Sequence, residues 1–246
     1  MKPVIVIPAR MASTRLPGKP LADIAGQPMI VRVWRQAIAA NLGPVIVAAA
    51  EREIADAIEK AGGIAVMTDP HLPSGSDRVF QAIKSFDPDG QHDLVVNLQG
   101  DLPALNPAHI AAVADVMAPT GADIGTLVAE IDDPADCDNP AATKAVVTWD
   151  ITGERGRALY FTRARAPYGD GPLYFHIGIY AYRRDALERF VELAPSPLEK
   201  REKLEQLRAL EAGMSIAVAR VDSVPLSVDT PADLEKARKA IAASKI

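Results

Sequence analysis

Val4-Ile-Val-Ile7 is apolar and β-branched at every position, and Pro3 and Pro8 close it off on both sides. A half-exposed strand alternates, and this run does not, so it reads as a strand buried on both faces of a parallel sheet. Parallel strands need crossover segments, and the chain supplies them. Pro28 to Ala40 places Met29, Ile30, Val33, Trp34, Ala37 and Ile38 at helical spacing, with proline at its start. Pro44 to Ala48 is a second buried strand, Glu51 to Ala61 a helix stopped by Gly62-Gly63, and Ile64 to Met67 a third strand. This β-α-β-α-β order predicts an α/β fold with a mostly parallel sheet covered by helices and joined by right-handed crossovers.

The alternation continues. Asp69 to Gly75 reads as a loop, and Ser76-Asp77-Arg78 opens a helix to about Phe86. Asp93 to Leu98 is a strand, about Asn106 to Met117 a helix, and Asp123 to Glu130 and Ala145 to Trp149 are strands. From Asp132 to Gly171 Asp, Pro, Gly and Arg accumulate and the regular pattern lapses, which predicts an excursion from the core. The pattern resumes with a strand at Tyr174 to Tyr182 and helices at about Arg184 to Leu193 and Glu199 to Ala212. Ile216 to Val221 is the last strand, and Pro231 to Ala243 is a helix behind Asp229-Thr230.

A chain of 246 residues suits one large domain, and 32 acids against 27 Lys and Arg argue against polymeric nucleic acid as a partner. The single cysteine, Cys137, excludes an internal disulfide framework and multi-cysteine zinc sites. The apolar run before Arg10 is too short for a signal peptide and no stretch approaches a membrane span, so a cytoplasmic protein is expected.

Chemistry concentrates just after the first strand. Ala9 to Pro20 is rich in small residues, is broken by Pro17-Gly18, and carries Arg10, Arg15 and Lys19 with no acid before Asp23. Open α/β sheets bind ligands at the carboxyl ends of their strands, where backbone N–H groups and fixed cations suit phosphate oxygens. The loop reads as a cradle of triphosphate size, although a solvated basic loop has the same composition. It is neither a Walker A loop nor a dinucleotide fingerprint. Asp101, in Gln99-Gly-Asp101, also follows an apolar strand, where a carboxylate can hold magnesium or cap a turn. Asp229 has two readings as well, because Asp-Thr-Pro before a helix is a common cap.

Ile7-Pro-Ala-Arg-x-x-Ser-x-Arg-Leu-Pro-Gly-Lys-Pro20 with Gly26-Gln-Pro-Met-Ile30 resembles the sugar nucleotidylyltransferases that activate acidic sugars with CTP, most of all the branch that activates 3-deoxy-manno-octulosonate (KDO). The likeness runs to Leu234. It implies a Rossmann-like three-layer α/β/α nucleotidyltransferase fold, one domain with an excursion at about 132–180 that dimerises, and CTP and an acidic sugar as substrates. It also implies a magnesium ion clamped by Asp101 and Asp229. On this resemblance Arg10, Lys19, Asp101 and Asp229 are catalytic. Pro8, Ala9, Ser13 and Arg15, with Ser74, Gly75 and Arg78 of Ser-Gly-Ser-Asp-Arg78, join them around the nucleotide, Arg78 reading the base. Gln99 touches both substrates. Tyr160-Phe-Thr-Arg163, His176-Ile-Gly-Ile-Tyr180 and Glu205-Gln206-Leu-Arg208 resemble the sugar-side motifs, which assigns Arg163, His176, Tyr180, Glu205 and Gln206 to the sugar. A lone His in an apolar strand is more often structural, and an Arg suits a carboxylate because its fork makes two parallel hydrogen bonds.

Three departures bear on the choice of sugar. Leu102 stands where the family usually has Glu, Ala48-Ala-Ala-Glu51 replaces Ala-Thr-Asp-Asp/His, and Asn139-Pro-Ala-Ala-Thr-Lys144 lacks the family's second Asn. Those at Glu51 and Leu102 keep the 8-amino analogue of KDO and sialic acid as alternative substrates. A nucleotide-binding regulator is the rival from another class, against which the joint presence of Arg10, Lys19, Asp101 and Asp229 counts.

Overall fold

In the computed structural model, which describes residues 1–243, the first apolar run becomes β1 (Pro3–Ala9). After it come a short hairpin of β2 (Asp23–Ile24) and β3 (Gln27–Pro28), then α1 (Met29–Ala39), β4 (Val45–Ala49), α2 (Arg52–Lys60), β5 (Ile64–Met67), α3 (Gly75–Phe86) and β6 (Leu94–Asn97). The strand order is β5-β4-β1-β6, and all three pairings are parallel. Val4 to Ile7 and Ile46 to Ala49 are fully buried, as their unbroken apolar character requires. Truncating a side chain such as Ile5 or Ile46 to Ala would cost about 2–5 kcal/mol. The hairpin was not legible in the sequence, because its turn uses Ala25 as well as Gly26 at positive φ.

These elements belong to the first of two units into which the chain divides, Met1–Ala111 plus the segment from Pro225 onward; Ala112–Val224 forms the second. The predicted helix at 106–117 is α4 (Pro107–Asp115) followed by the separate turn α5 (Met117–Thr120). In the second unit, β7 (Ile124–Glu130), α6 (Pro134–Cys137), β8 (Lys144–Trp149), β9 (Arg155–Thr162) and β10 (Tyr174–Arg183) precede α7 (Arg184–Glu192), α8 (Pro197–Glu202), α9 (Leu207–Glu211) and β11 (Ile216–Val221). The order here is β10-β7-β11-β9-β8, with only β7 and β11 parallel, so this unit's pairing is mixed.

Two expectations need correction in this unit. The irregular stretch contains an unforeseen strand, β9, which joins β8 to β11. The helix foreseen at 199–212 is broken, because Lys203 takes a left-handed conformation (φ 57°). The break frees the carbonyl oxygens of Glu202 and Lys203, and the guanidinium of Arg163 donates to both, at 2.8 and 3.4 Å. Tertiary hydrogen bonds thus override a favourable helical sequence.

Back in the first unit, α10 (Pro231–Ala243) packs Leu234 and Ala237 with Val228, Ile24 and Met29, and Leu16, Leu226 and Ile241 lean on this cluster. Burying roughly a methylene's worth of surface stabilises by about 0.8 kcal/mol, so the cluster ties two otherwise polar segments down. One is the cation loop, through Leu16; the other is the approach to Asp229, through Leu226 and Val228.

Candidate active site

Gly18 ends the cation loop in the left-handed region (φ 69°) and begins a single 3-10 turn, Lys19–Leu21. A side chain would be strained there, and the turn aims Lys19 inward. The Lys19 ammonium donates to Asp101 Oδ2 at 2.8 Å and to Asp229 Oδ1 at 3.0 Å. Burial acts to lower the Lys19 pKa, but the Asp101 carboxylate and then Asp229 more than offset it, so the pKa is raised and the ammonium stays charged. Arg15 Nη2 lies 3.5 Å from the same Asp229 oxygen.

Each carboxylate is held by its backbone. Asp101 follows Gly100, where a Cβ would stand 3.0 Å from the Pro8 carbonyl oxygen, a crowding that favours glycine where this turn approaches β1. The Val228 N–H donates to the Asp101 carbonyl at 3.0 Å. The ambiguity over Asp229 is resolved by its neighbours. Thr230 Oγ1 accepts the Asp233 N–H at 3.2 Å and Asp233 Oδ2 accepts the Thr230 N–H at 3.0 Å, a reciprocal cap of α10 that leaves the Asp229 carboxylate to Lys19.

A cavity of about 380 Å³ opens beside this cluster. Pro8, Ala9, Arg10, Ser13, Arg15, Lys19, Ser74, Gly75, Arg78, Gln99 and Asp101 all line it. Its volume falls in the usual range for a small-molecule site. Ser74 caps α3 by accepting the Asp77 N–H at 3.2 Å, so the helix presents its electropositive start at the wall. Gln99 Nε2 donates to Asn97 Oδ1 at 3.0 Å, which orients its amide. Arg78 is 2% exposed, and its Nη groups donate to Thr68 Oγ1 at 2.6 Å, the Asp69 carbonyl at 3.0 Å and the Pro70 carbonyl at 3.5 Å. Those donors brace the 68–70 loop, so any reading of a base by Arg78 has to share them. Among the described residues no three His, Cys, Asp or Glu side chains gather as a complete metal cage. Asp101 and Asp229 are a two-carboxylate set of the kind magnesium uses when substrate phosphates and water complete its octahedron.

Residues 4–216 match the family described as cytidylyltransferase. A 3-deoxy-manno-octulosonate cytidylyltransferase of Parvibaculum lavamentivorans is 65% identical over 240 residues, covering 98% of this chain and 93% of the other. The chain belongs to the cytidylyltransferase family. A second relative with the same description, from Paramagnetospirillum magneticum, is 60% identical over 97% of each chain. Among solved structures, CMP:2-keto-3-deoxy-manno-octonic acid synthetase complexed with CTP superposes with a TM-score of 0.91 at 38% identity over 99% of both chains.

For a cytidylyltransferase of this branch, the sugar-side motifs behave unevenly. His176 Nε2 lies 3.0 Å from Thr126 Oγ1, while Gln206 Nε2 lies 3.5 Å from His176 Nδ1. Thr126 donates to the Ile179 carbonyl at 2.9 Å, beside the register shift in β10. The network therefore assigns the imidazole proton to Nε2. Burial pushes the His176 pKa down to about 3, so the ring is neutral, and Phe161 and Tyr180 pack against it with centroids at 4.7 and 5.6 Å. Burial likewise holds the Tyr180 phenol well above its usual range. The structure thus brings His176, Tyr180 and Gln206 together. Glu205 lies 3.6 Å from Arg208, whose guanidinium is held by Glu199 at 2.8 and 2.6 Å.

Arg163 is placed differently from a free carboxylate receptor. Besides its bonds to Glu202 and Lys203, its Nη1 donates to the Pro140 carbonyl at 2.9 Å. The fork is occupied by main-chain oxygens, and holding a sugar carboxylate would mean exchanging them. Three residues that shape these sites went unassigned in the sequence. Thr126 completes the His176 network. Glu202 accepts from Thr162 Oγ1 at 2.8 Å and from the Arg163 N–H at 3.0 Å. Glu51 accepts the Met11 N–H at 2.8 Å, and its only signal was a departure from the family pattern.

Proposed function

We propose that this chain transfers CMP from CTP to 3-deoxy-manno-octulosonate, releasing pyrophosphate and supplying the activated sugar for lipopolysaccharide assembly. The observation that carries the reading is the meeting of Asp101 and Asp229 at Lys19, on the rim of a cavity lined by Arg10, Arg15 and the start of α3. The relatives of this branch supply the sugar's name.

In the reaction a sugar hydroxyl attacks the α-phosphorus of CTP. The new O–P bond forms as the bond to the β-phosphate oxygen breaks, and the hydroxyl proton leaves to solvent. Arg10, Arg15, Lys19 and the N–H groups opening α3 take up phosphate charge, so the chain's contribution is positioning and electrostatic stabilisation without a covalent intermediate. Asp101 and Asp229 would hold magnesium, which neutralises phosphate charge and polarises the attacking hydroxyl when bound. Lys19, which bridges both carboxylates, also lines the cavity, where its ammonium would pair with phosphate oxygens. A cytoplasmic homodimer is part of this proposal and rests on the family resemblance alone. No helix among the described residues is long and apolar enough to cross a membrane.

The test is pyrophosphate release from CTP with a panel of acid sugars. Turnover with KDO well above that with 8-amino-KDO and sialic acid is expected. Preference for either of the others would reassign the sugar, and CTP binding without turnover on any of them would favour a regulator.

A further inference from the structure

Glu51 reaches out of its own helix. It occupies the N-cap position of α2 with extended backbone (φ −122°, ψ 151°), yet its side chain caps nothing. Its Oε2 instead accepts the N–H of Met11, the first residue beyond Arg10, at 2.8 Å. Next to that bond the Ala50 N–H donates to the Ala9 carbonyl at 3.0 Å, so the two bonds sew the end of β1 to the start of α2. The Met11 side chain in turn reaches towards the turn that presents Lys19: its Cε lies 3.8 Å from where a Cβ on Gly18 would stand. The Glu51 carboxylate also favours the buried Arg78 cation, against burial and against repulsion from Arg10.

An anion beside a polyphosphate site is unfavourable unless it is engaged elsewhere, and Ser or Asp would cap α2 better than Glu. Capping therefore does not explain this side chain. We infer that Glu51 is a positioning residue for the nucleotide: by holding Met11 it fixes the directions of Arg10 and of the Gly18 turn with Lys19 before the triphosphate arrives. It touches no substrate. A loop ordered in advance binds with less loss of conformational freedom, so the benefit falls on CTP and not on the sugar. This role rests on the reading of the chain as a CTP-using enzyme.

The experiment compares E51A, E51D and E51Q with the wild-type protein. E51A loses the acceptor; E51D keeps the charge but is one methylene too short to reach; E51Q keeps an amide oxygen at the right length. E51A and E51D are expected to raise the KM for CTP roughly tenfold, as for loss of one hydrogen bond to a charged acceptor, with the sugar KM unmoved. E51Q should recover most of that loss. Amide hydrogen exchange at Met11, measured without substrates, should be slow in wild type and E51Q and fast in the other two, a readout that holds even where a variant is less stable overall. Equal impairment of E51Q and E51A would overturn the hydrogen-bond role. An unchanged CTP KM or unchanged Met11 exchange in both E51A and E51D would also overturn it. If the wild-type protein fails to bind CTP in calorimetry, the functional reading falls and takes this role with it, whereas exchange at Met11 tests the Glu51 contact by itself.

Discussion

The main-chain N–H of Val228 donates to the carbonyl oxygen of Asp101 at 3.0 Å, joining the two turns that carry the site's carboxylates. Val228 is fully buried in the cluster with Ile24, Met29 and Leu234, so the juxtaposition of Asp101 and Asp229 is built by packing and backbone bonding. It does not depend on the charges it brings together.

That independence makes Asp229→Asn a clean probe. The cap of α10 belongs to Thr230 and Asp233, so it survives the change. The lost ion pair is partly exposed, with 41% of the Asp229 side chain accessible, and such pairs contribute about 0–1 kcal/mol. The variant should melt within a few degrees of wild type while turnover falls by roughly two orders of magnitude or more. Near-normal turnover in a stable protein would remove Asp229 from the mechanism.

Lys19→Met separates binding of the cation from binding of the nucleotide. With the ammonium gone, the two carboxylates lose the cation they share, and the more exposed Arg15 guanidinium, 3.5 Å from Asp229, offsets their repulsion less well. Manganese binding in the absence of CTP, followed by electron paramagnetic resonance, should tighten about tenfold or more, while turnover drops by about a hundredfold because the phosphates lose a cation. Unchanged manganese affinity would mean that the carboxylates do not act as metal ligands in the free protein.

His176 sets an acid limit on stability. Its folded pKa, about 3, lies below the ordinary 6.5, so between those values the unfolded chain takes up a proton that the folded chain refuses. Stability is therefore fully present above about pH 6.5 and is lost as pH falls towards 3, at roughly 1.4 kcal/mol per unit. The depressed carboxylates, Glu202, Asp123, Asp150 and Asp233, act only below the ordinary 4.5 of Glu and 3.8 of Asp, outside the window between pH 7 and 5. Urea midpoints should show wild type losing about 2 kcal/mol over that window and His176→Gln losing little. Equal losses in both proteins would place the acid sensitivity elsewhere.

Arg163→Lys tests which partner owns the guanidinium. Lys keeps the charge but cannot serve the Glu202, Lys203 and Pro140 carbonyls together, so stability should fall by about 1–3 kcal/mol, with the KM for CTP unchanged. A protein as stable as wild type whose sugar KM alone rises would show that the fork serves the sugar carboxylate instead.

What the amino-acid order determined here is what short-range periodicity can encode. The unbroken aliphatic runs ending at Ile7 and Ala48 specified buried parallel strands, the spacing from Met29 to Ile38 specified α1, and Gly62-Gly63 ended α2 where a left-handed residue was needed. The cation loop was legible for the same reason, because charge, small residues and Pro17-Gly18 lie next to one another in the chain. Partnership was not legible. Whether Asp229 capped a helix or faced Lys19, whether Arg78 and Arg163 pointed to ligands or to main-chain oxygens, and why the helical stretch after Glu199 breaks at Lys203 all depended on atoms many residues away. A side chain's hydrogen-bonding capacity is a local property, but which group takes it up is decided by the core that brings the turns together, and burial of residues such as Val228 and Leu16 is the force that does so.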